Sequence, residues 1–380
     1  MTIPRLNDLL GQPLAAASLR QVAGGGRPAN AYLFVGPAGV GKGTAALAFA
    51  CALLCERPAA GGDACGECPA CHKSAGLQHP DLKFLFPVSG EEKDLEDTVA
   101  ETLRGLREEP FFAFIYEKAA SIRLSLTREL LRGLAYLPFE AARRVVVVRD
   151  ADRMREDQYS AMLKSLEEPG STVWILTTAR PSRLPATIHS RCQKVRFAPL
   201  PEALVRDFLT EKAGVAEREA RVLAALSGGS LARALSLRDE EPLRMRDEAL
   251  ALLEPALKGD GAALWKASQG FMKFGRTGRE ALRRMFEVHQ LWLRDLLRAR
   301  AGAGREALTN RDREAEIRRQ AERVEPAEIR RRLAVLEEAI QSIEGNVTAD
   351  LTVFSAMARV AGARLGEGQW PAHAASRWNY

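Results

Sequence analysis

Two stretches of this chain carry residue types at spacings that can do chemistry. The first, Gly36-Pro37-Ala38-Gly39-Val40-Gly41-Lys42-Gly43-Thr44, follows the apolar run Tyr32–Val35 and opens an alanine-rich helical stretch. A strand, a glycine-rich loop, a lysine and a helix in that order make a phosphate cradle. The glycines let backbone N–H groups wrap the anion, and the helix N-terminus adds its positive end. Gly36, Gly39, Gly41, Lys42, Gly43 and Thr44 are therefore the expected nucleotide-binding residues, with Lys42 reaching the β- and γ-phosphates. The strict pattern asks for Ser or Thr directly after the lysine, to hold Mg²⁺. Gly43 stands there instead, and Thr44 comes one position late. ATP binding survives this change more easily than metal-assisted hydrolysis does. A second metal attachment is an acid at the end of a buried strand. The candidate strand, Val145–Val148, is followed by Arg149, Asp150, Ala151 and Asp152. A guanidinium cannot ligate Mg²⁺, so Asp150 or Asp152 in a shifted register is the alternative.

The second stretch is Cys55-x9-Cys65-x2-Cys68-x2-Cys71, four thiols within 17 residues. Two C-x-x-C steps sharing Cys68, with a fourth ligand delivered by a loop, can close a tetrahedral Zn²⁺ site that is structural rather than catalytic. An iron–sulfur cluster suits the same steps; four cysteines closed on one short loop favour zinc. Cys51, four residues before Cys55, is expected to be a core thiol, and His72 and His79 are possible substitutes as ligands that the site does not require. The clustering, with Cys192 apart, argues for metal ligation in a reducing compartment rather than a disulfide framework.

The elements that must hold these groups follow from patterning. Tyr32–Val35, Val145–Val148 and Val173–Leu176 are short and nearly all apolar, each followed by a turn and a helical pattern; Asp81–Phe86 is a plausible further strand. Strands buried on both faces read this way, so a parallel sheet covered by helices is expected up to about Pro199. Glu202 to Leu237 reads as short helices broken at Gly228–Gly229, and from about Glu241 the chain looks all-helical. Ile329, Leu333, Leu336, Ile340 and Ile343 share one helix face, a core or subunit contact. Val88–Asp97 reads as a solvated acidic loop. The chain has 380 residues, 46% of them hydrophobic and 27% charged, the balance of a soluble multi-domain protein. The longest near-continuous apolar run, Ala45–Leu54, is about half the ~20 residues of a membrane span, and no secretory signal is visible at the N-terminus. The net charge is +6, with fourteen arginines against nine acids over 281–332. That permits an acidic polymer such as DNA as a partner, or simply a solvated helix face.

After Val173–Leu176 the chain runs to Ser190-Arg191-Cys192. Taken alone, Arg191 is most often a surface ion pair. In a P-loop protein that assembles as a ring, an arginine here can point at a neighbour's γ-phosphate.

GPAGVGKGT, the four cysteines, His79-Pro80-Asp81, the DADRM segment, Ala161-Met162-Leu163-Lys164-Ser165-Leu166-Glu167-Glu168-Pro169 and Ser190-Arg191-Cys192 occur in the order and spacing of bacterial clamp-loader AAA+ subunits. The chain resembles that family over roughly residues 6–235, and its all-helical remainder is similar in character to the family's collar. The resemblance implies an α/β AAA+ P-loop domain over 1–198 that carries a zinc loop. A helical lid would follow over 199–240, an all-α collar over 241–365 and a loose tail over 366–380. It also implies Zn²⁺ on Cys55, Cys65, Cys68 and Cys71 and a trans-acting arginine finger at Arg191. The implied partners are the gamma/tau and delta subunits in a hetero-pentameric ring, with the sliding clamp and primer-template DNA reached through the assembly. That ring is part of a DNA-directed DNA polymerase holoenzyme in the bacterial cytoplasm, at the nucleoid-associated replisome. Motor subunits carry Thr after the P-loop lysine and Asp-Glu at the second strand. Gly43 and Arg149-Asp150 look like the non-hydrolysing delta-prime members instead. In the lid, Gly229 to Leu235 resembles the sensor-2 segment, with Arg233 one position late, and sensor 1 falls near Thr178. An active motor of the same family, with Asp150 or Asp152 serving the metal, is the alternative. So is a nucleotide kinase, since Gly41-Lys42-Gly43-Thr44 also resembles the loop of adenylate kinases. The kinase reading leaves the cysteine loop and the Ser-Arg-Cys turn unexplained.

Overall fold

A computed structural model of the chain describes residues 5–25, 27–89, 95–108, 120–238, 241–258, 260–268, 275–343 and 349–362. The expected tail over 366–380 and part of the expected acidic loop, 90–94, lie outside these residues. The chain divides into two compact units, Met1–Val205 with Gly229–Leu235, and Arg206–Gly228 with Ser236–Tyr380. The stretch expected to be a lid, 199–240, contributes residues to both.

In chain order the first unit holds α1 (Pro13–Ala23), β1 (Ala31–Val35), α2 (Lys42–Leu54), α3 (Pro69–Ala75), β2 (Leu82–Leu85), α4 (Leu95–Glu108) and α5 (Leu124–Gly133). β3 (Arg144–Val148), α6 (Glu156–Glu167), β4 (Thr172–Thr178), α7 (Ala186–Arg191) and β5 (Gln193–Arg196) follow. The five strands form one parallel sheet in the order β2-β3-β4-β1-β5. β1, β3 and β4 are the apolar runs of the sequence. Alternate side chains enter two cores: Tyr32, Phe34, Val145, Val147 and Ile175 pack with α1 and α2 on one face. Leu33, Val146, Val148, Trp174 and Leu176 pack with α6 and α7 on the other. A parallel sheet covered on both faces by helices, with a glycine loop at the carboxyl end of β1, is the P-loop type of α/β domain. β5 is the strand that apolar patterning misses. Only Val195 of its residues is buried, because it lies at the sheet edge and pairs with β1 alone.

The described elements of the second unit are helical. α8 (Glu202–Glu211) bridges the unit boundary, α10 (Leu231–Arg238) begins in the first unit, and α9 (Glu217–Ser227) precedes the long run. That run is α11 (Pro242–Lys258), α12 (Gly261–Ser268), α13 (Gly275–Arg300), α14 (Glu314–Ala321), α15 (Pro326–Ile343) and α16 (Ala349–Ala361). Gly228 and Gly229 break α9 from α10 at φ 60° and 81°. The buried face of α15 is rotated from the expected stripe. Ile329, Arg332, Val335, Leu336, Ala339 and Ile343 are buried, whereas Leu333 and Ile340 are only half-buried. The aliphatic stem of Arg332 can line a core while its guanidinium reaches Glu328 at 2.9 Å.

Candidate functional site

The phosphate loop leaves β1 at Gly36, where a Cβ would lie 2.3 Å from the carbonyl oxygen of Phe197, so only glycine lets the loop pass beside the chain after β5. Gly39 and Gly41 take positive φ of 74° and 97°, the region glycine enters without steric cost, and Gly41 caps α2. The loop is braced from two sides. Gln12, which precedes α1 and is buried, donates to the carbonyls of Ala198 (2.8 Å) and Val40 (3.3 Å) and accepts from the Ala198 amide (3.2 Å). The start of α10 closes the other side: the Ala232 amide donates to Gly39 O at 3.4 Å. Ser230 Oγ fills the space a Cβ on Gly39 would need. Arg233, at the expected sensor-2 position, sits one turn on, its amide donating to Ser230 Oγ at 3.2 Å.

Lys42 is folded back into the loop, donating to the carbonyls of Gly36 (2.8 Å) and Pro37 (2.5 Å). Burial lowers its pKa to about 8; Asp150 and Asp152 work against that shift and Arg149 adds to it. The six expected residues Gly36, Gly39, Gly41, Lys42, Gly43 and Thr44 span this loop and the first turn of α2. The two positions where metal ligands would be sought, 43 and 149, meet each other. Arg149 leaves the end of β3, its amide bonded to Leu85 O at 2.8 Å. Its guanidinium lies against Gly43, so that a Cβ there would be 2.4 Å from Nη1. The acids do not compensate. Asp152 is buried, accepting from Thr178 Oγ1 (2.7 Å) and pairing with Arg180 (2.8 Å). Asp150 takes a left-handed φ of 48° and faces Arg149 Nε at 3.6 Å. Thr178, near the expected sensor 1, therefore serves to fix Asp152.

At the far end of α2, Cys55 begins the cysteine loop. The sulfurs of Cys55, Cys65, Cys68 and Cys71 all lie within 4.8 Å of one another, with Cys55–Cys68 and Cys65–Cys71 each at 3.9 Å. Sulfurs bound ~2.3 Å from a tetrahedral zinc lie about 3.8 Å apart, so this donor set fits the ion. Backbone amides of Cys65, Glu67, Cys68 and Cys71 point at the sulfurs at 3.4 Å, which favours thiolates. The Glu67 amide leads in pulling the Cys65 pKa down to about 6. Burial pushes Cys51 up to about 12, which makes it the inert core thiol expected. His72 is exposed, and His79 accepts from the Asp81 amide at 3.1 Å and faces Glu140 at 3.3 Å; neither joins the sulfurs. Asp63, buried in the loop, accepts from the amides of Leu6 (3.0 Å), Asn7 (2.9 Å) and Ala64 (2.8 Å), and so ties the loop to the N-terminal segment.

Arg191 ends α7 with its side chain 32% exposed. It pairs with Glu167 at the end of α6 and donates to Thr187 O at 3.1 Å. Among residues to which the sequence reading gave no role of their own, Gln12 and Asp81 have the clearest structural roles. Asp81 is buried. Burial alone would raise its pKa, but the amides of Glu140 (2.9 Å), Phe139 (2.6 Å) and Ala141 (2.9 Å) outweigh it and hold the carboxyl below its usual range. For Gln12, a polar residue directly before a proline at the start of a helical run was the available signal.

Fold and site together define a P-loop type of α/β domain with a loop of four cysteines that could hold a metal ion. A family model described as "DNA polymerase III, delta subunit" matches residues 11–201. The DNA polymerase III subunit delta' of Pseudomonas aeruginosa is 35% identical over 258 residues, 66% of this chain and 68% of that protein. The subunit of the same name in Bacillus subtilis is 28% identical over 250 residues, 65% of this chain and 66% of that protein. The B. subtilis DNA polymerase III subunit tau is 26% identical over 242 residues, 62% of this chain but only 37% of that protein. The chain belongs to the DNA polymerase III delta subunit family.

Proposed function

We propose that this chain is a delta-prime-like subunit of the DNA polymerase III clamp loader, one that helps load the sliding clamp onto primed DNA without hydrolysing ATP itself. The observation that carries this reading is a complete phosphate cradle whose two metal positions hold Gly43 and Arg149. It stands in a chain that keeps a part-exposed arginine at the end of α7. Phosphoryl transfer rests almost wholly on positioning and charge neutralisation, so a cradle without metal attachments holds ATP better than it cleaves it. Arg191 then acts in trans: released from Glu167, its planar fork stabilises the charge that spreads over a neighbour's γ-phosphoryl group. An exposed ion pair of this kind is worth ~0–1 kcal/mol, a small cost for that release. Zinc on the four cysteines has a structural role in this reading. The partners are the gamma/tau and delta subunits of a five-membered ring, and through them the clamp and primer-template DNA, in the bacterial cytoplasm at the replisome. The α/β domain, lid and collar divide the work between ATP-site contacts and ring assembly. No helix among the described residues is long and apolar enough to cross a membrane.

The test is Arg191→Ala in the reconstituted loader, with assembly checked by size-exclusion chromatography. Other systems lose ~10³–10⁵ in rate without their finger; a smaller loss of clamp loading and ATP turnover is expected here, because other sites in the ring keep theirs. Arg191→Lys should rescue little, since a point charge lacks the planar fork. Loading at the unmodified rate would make Arg191 an ordinary structural arginine.

A further inference from the structure

We infer that Arg149 takes the place of the metal ion in this site, so that the phosphate cradle binds a nucleoside triphosphate in its metal-free form. The two departures from a hydrolytic P-loop are one feature in space. A guanidinium from the end of β3 rests against the first turn of α2 at the one residue that lacks a side chain, with Nη1 2.4 Å from where a Cβ would stand. A serine or threonine at 43 would put its hydroxyl into that guanidinium, so Gly43 is what admits Arg149. Mg²⁺ does not fit this arrangement. Its usual hydroxyl ligand is missing, and a permanent cation that cannot be deprotonated stands beside Gly43. Of the two nearby acids, Asp152 is committed to Thr178 and Arg180, and Asp150 faces Arg149 itself. The cradle meanwhile keeps what an anion needs. Gly39 and Gly41 keep the positive φ of a glycine-bent loop, and Lys42 is held by the carbonyls of Gly36 and Pro37, which a phosphate can replace. Lys42 and Arg149 together bring two positive charges to a triphosphate that elsewhere arrives with magnesium. A guanidinium matches phosphate oxygens through two parallel N–H bonds, which supplies grip as well as charge.

This goes beyond the clamp-loader reading and does not depend on it, since the isolated full-length chain is measured. Calorimetric titration with ATP in EDTA and in excess MgCl₂ should give dissociation constants within about tenfold of each other. Arg149→Ala should weaken ATP binding in EDTA by at least about tenfold, the scale of one charge-assisted hydrogen bond. Gly43→Thr should do the same by pushing the guanidinium aside. Zinc content and melting temperature check that each variant is folded. Binding at least about tenfold tighter with Mg²⁺, no detectable binding in EDTA, or an Arg149→Ala chain that binds as tightly as the original would each overturn the inference.

Discussion

One helix carries both chemical sites, and its two ends are built in opposite ways. At its C-terminal end, Cys55 begins a loop that brings four sulfurs within 4.8 Å of one another, with four backbone amides donating to them, a set that fits a tetrahedral ion. At its N-terminal end, Gly41 closes the glycine loop expected to cradle phosphate, and there the two positions where metal ligands would be sought are Gly43 and Arg149, packed against each other. Only one of the two ends can be read locally. All the donors of the cysteine site come from 17 consecutive residues, so spacing alone specifies it. The state of the phosphate site depends on which residue β3 delivers across the sheet, about a hundred positions away.

If this contrast holds, the purified protein carries metal at one end of α2 only. Elemental analysis of protein prepared without chelator should find about one Zn²⁺ per chain. Cys68→Ala, which removes the ligand shared by both C-x-x-C steps, should lose that zinc and produce the largest fall in melting temperature of any single change here, because metal binding and folding are linked. Iron, or no metal, in the unmodified protein would erase the contrast.

A smaller effect sharpens it. Two acids beside the strands, Asp81 and Asp152, are held by the chain's own donors, so they stabilise the fold rather than wait for a cation. Asp81→Ala would strand three amides and should cost about 2–3 kcal/mol at neutral pH, read by denaturant unfolding. The folded-state pKa of Asp81 is depressed. Its contribution is therefore full above the unfolded pKa of about 4 and is lost as pH falls through the lower folded value. The gap between Asp81→Ala and the unmodified chain should shrink below about pH 4. A gap that does not change with pH would mean the carboxylate charge is not what the three amides hold.

What could be read from the sequence followed the same division. β1, β3 and β4 announce themselves because they are buried on both faces, and the cradle and the cysteine set because they are contiguous. β5 stayed hidden, since an edge strand with one buried residue has no apolar signature. The face of α15 was displaced because a core position is filled by Arg332, which pattern reading counts as polar. Asp152 looked like a spare metal ligand until Thr178 and Arg180 were brought to it by the pairing of β3 with β4. For Asp152 the missing information was a pair of partners supplied by another element.

In the proposed role, this chain acts on ATP hydrolysis only through a neighbour. The most direct measurement is ATP turnover by the purified full-length chain with Mg²⁺ and primed DNA, alone and after adding the motor and delta subunits. Turnover at background for the chain alone, rising only in the assembled loader, is the result predicted. Steady, DNA-stimulated turnover by the unmodified chain alone would contradict it and place this protein among the motor subunits.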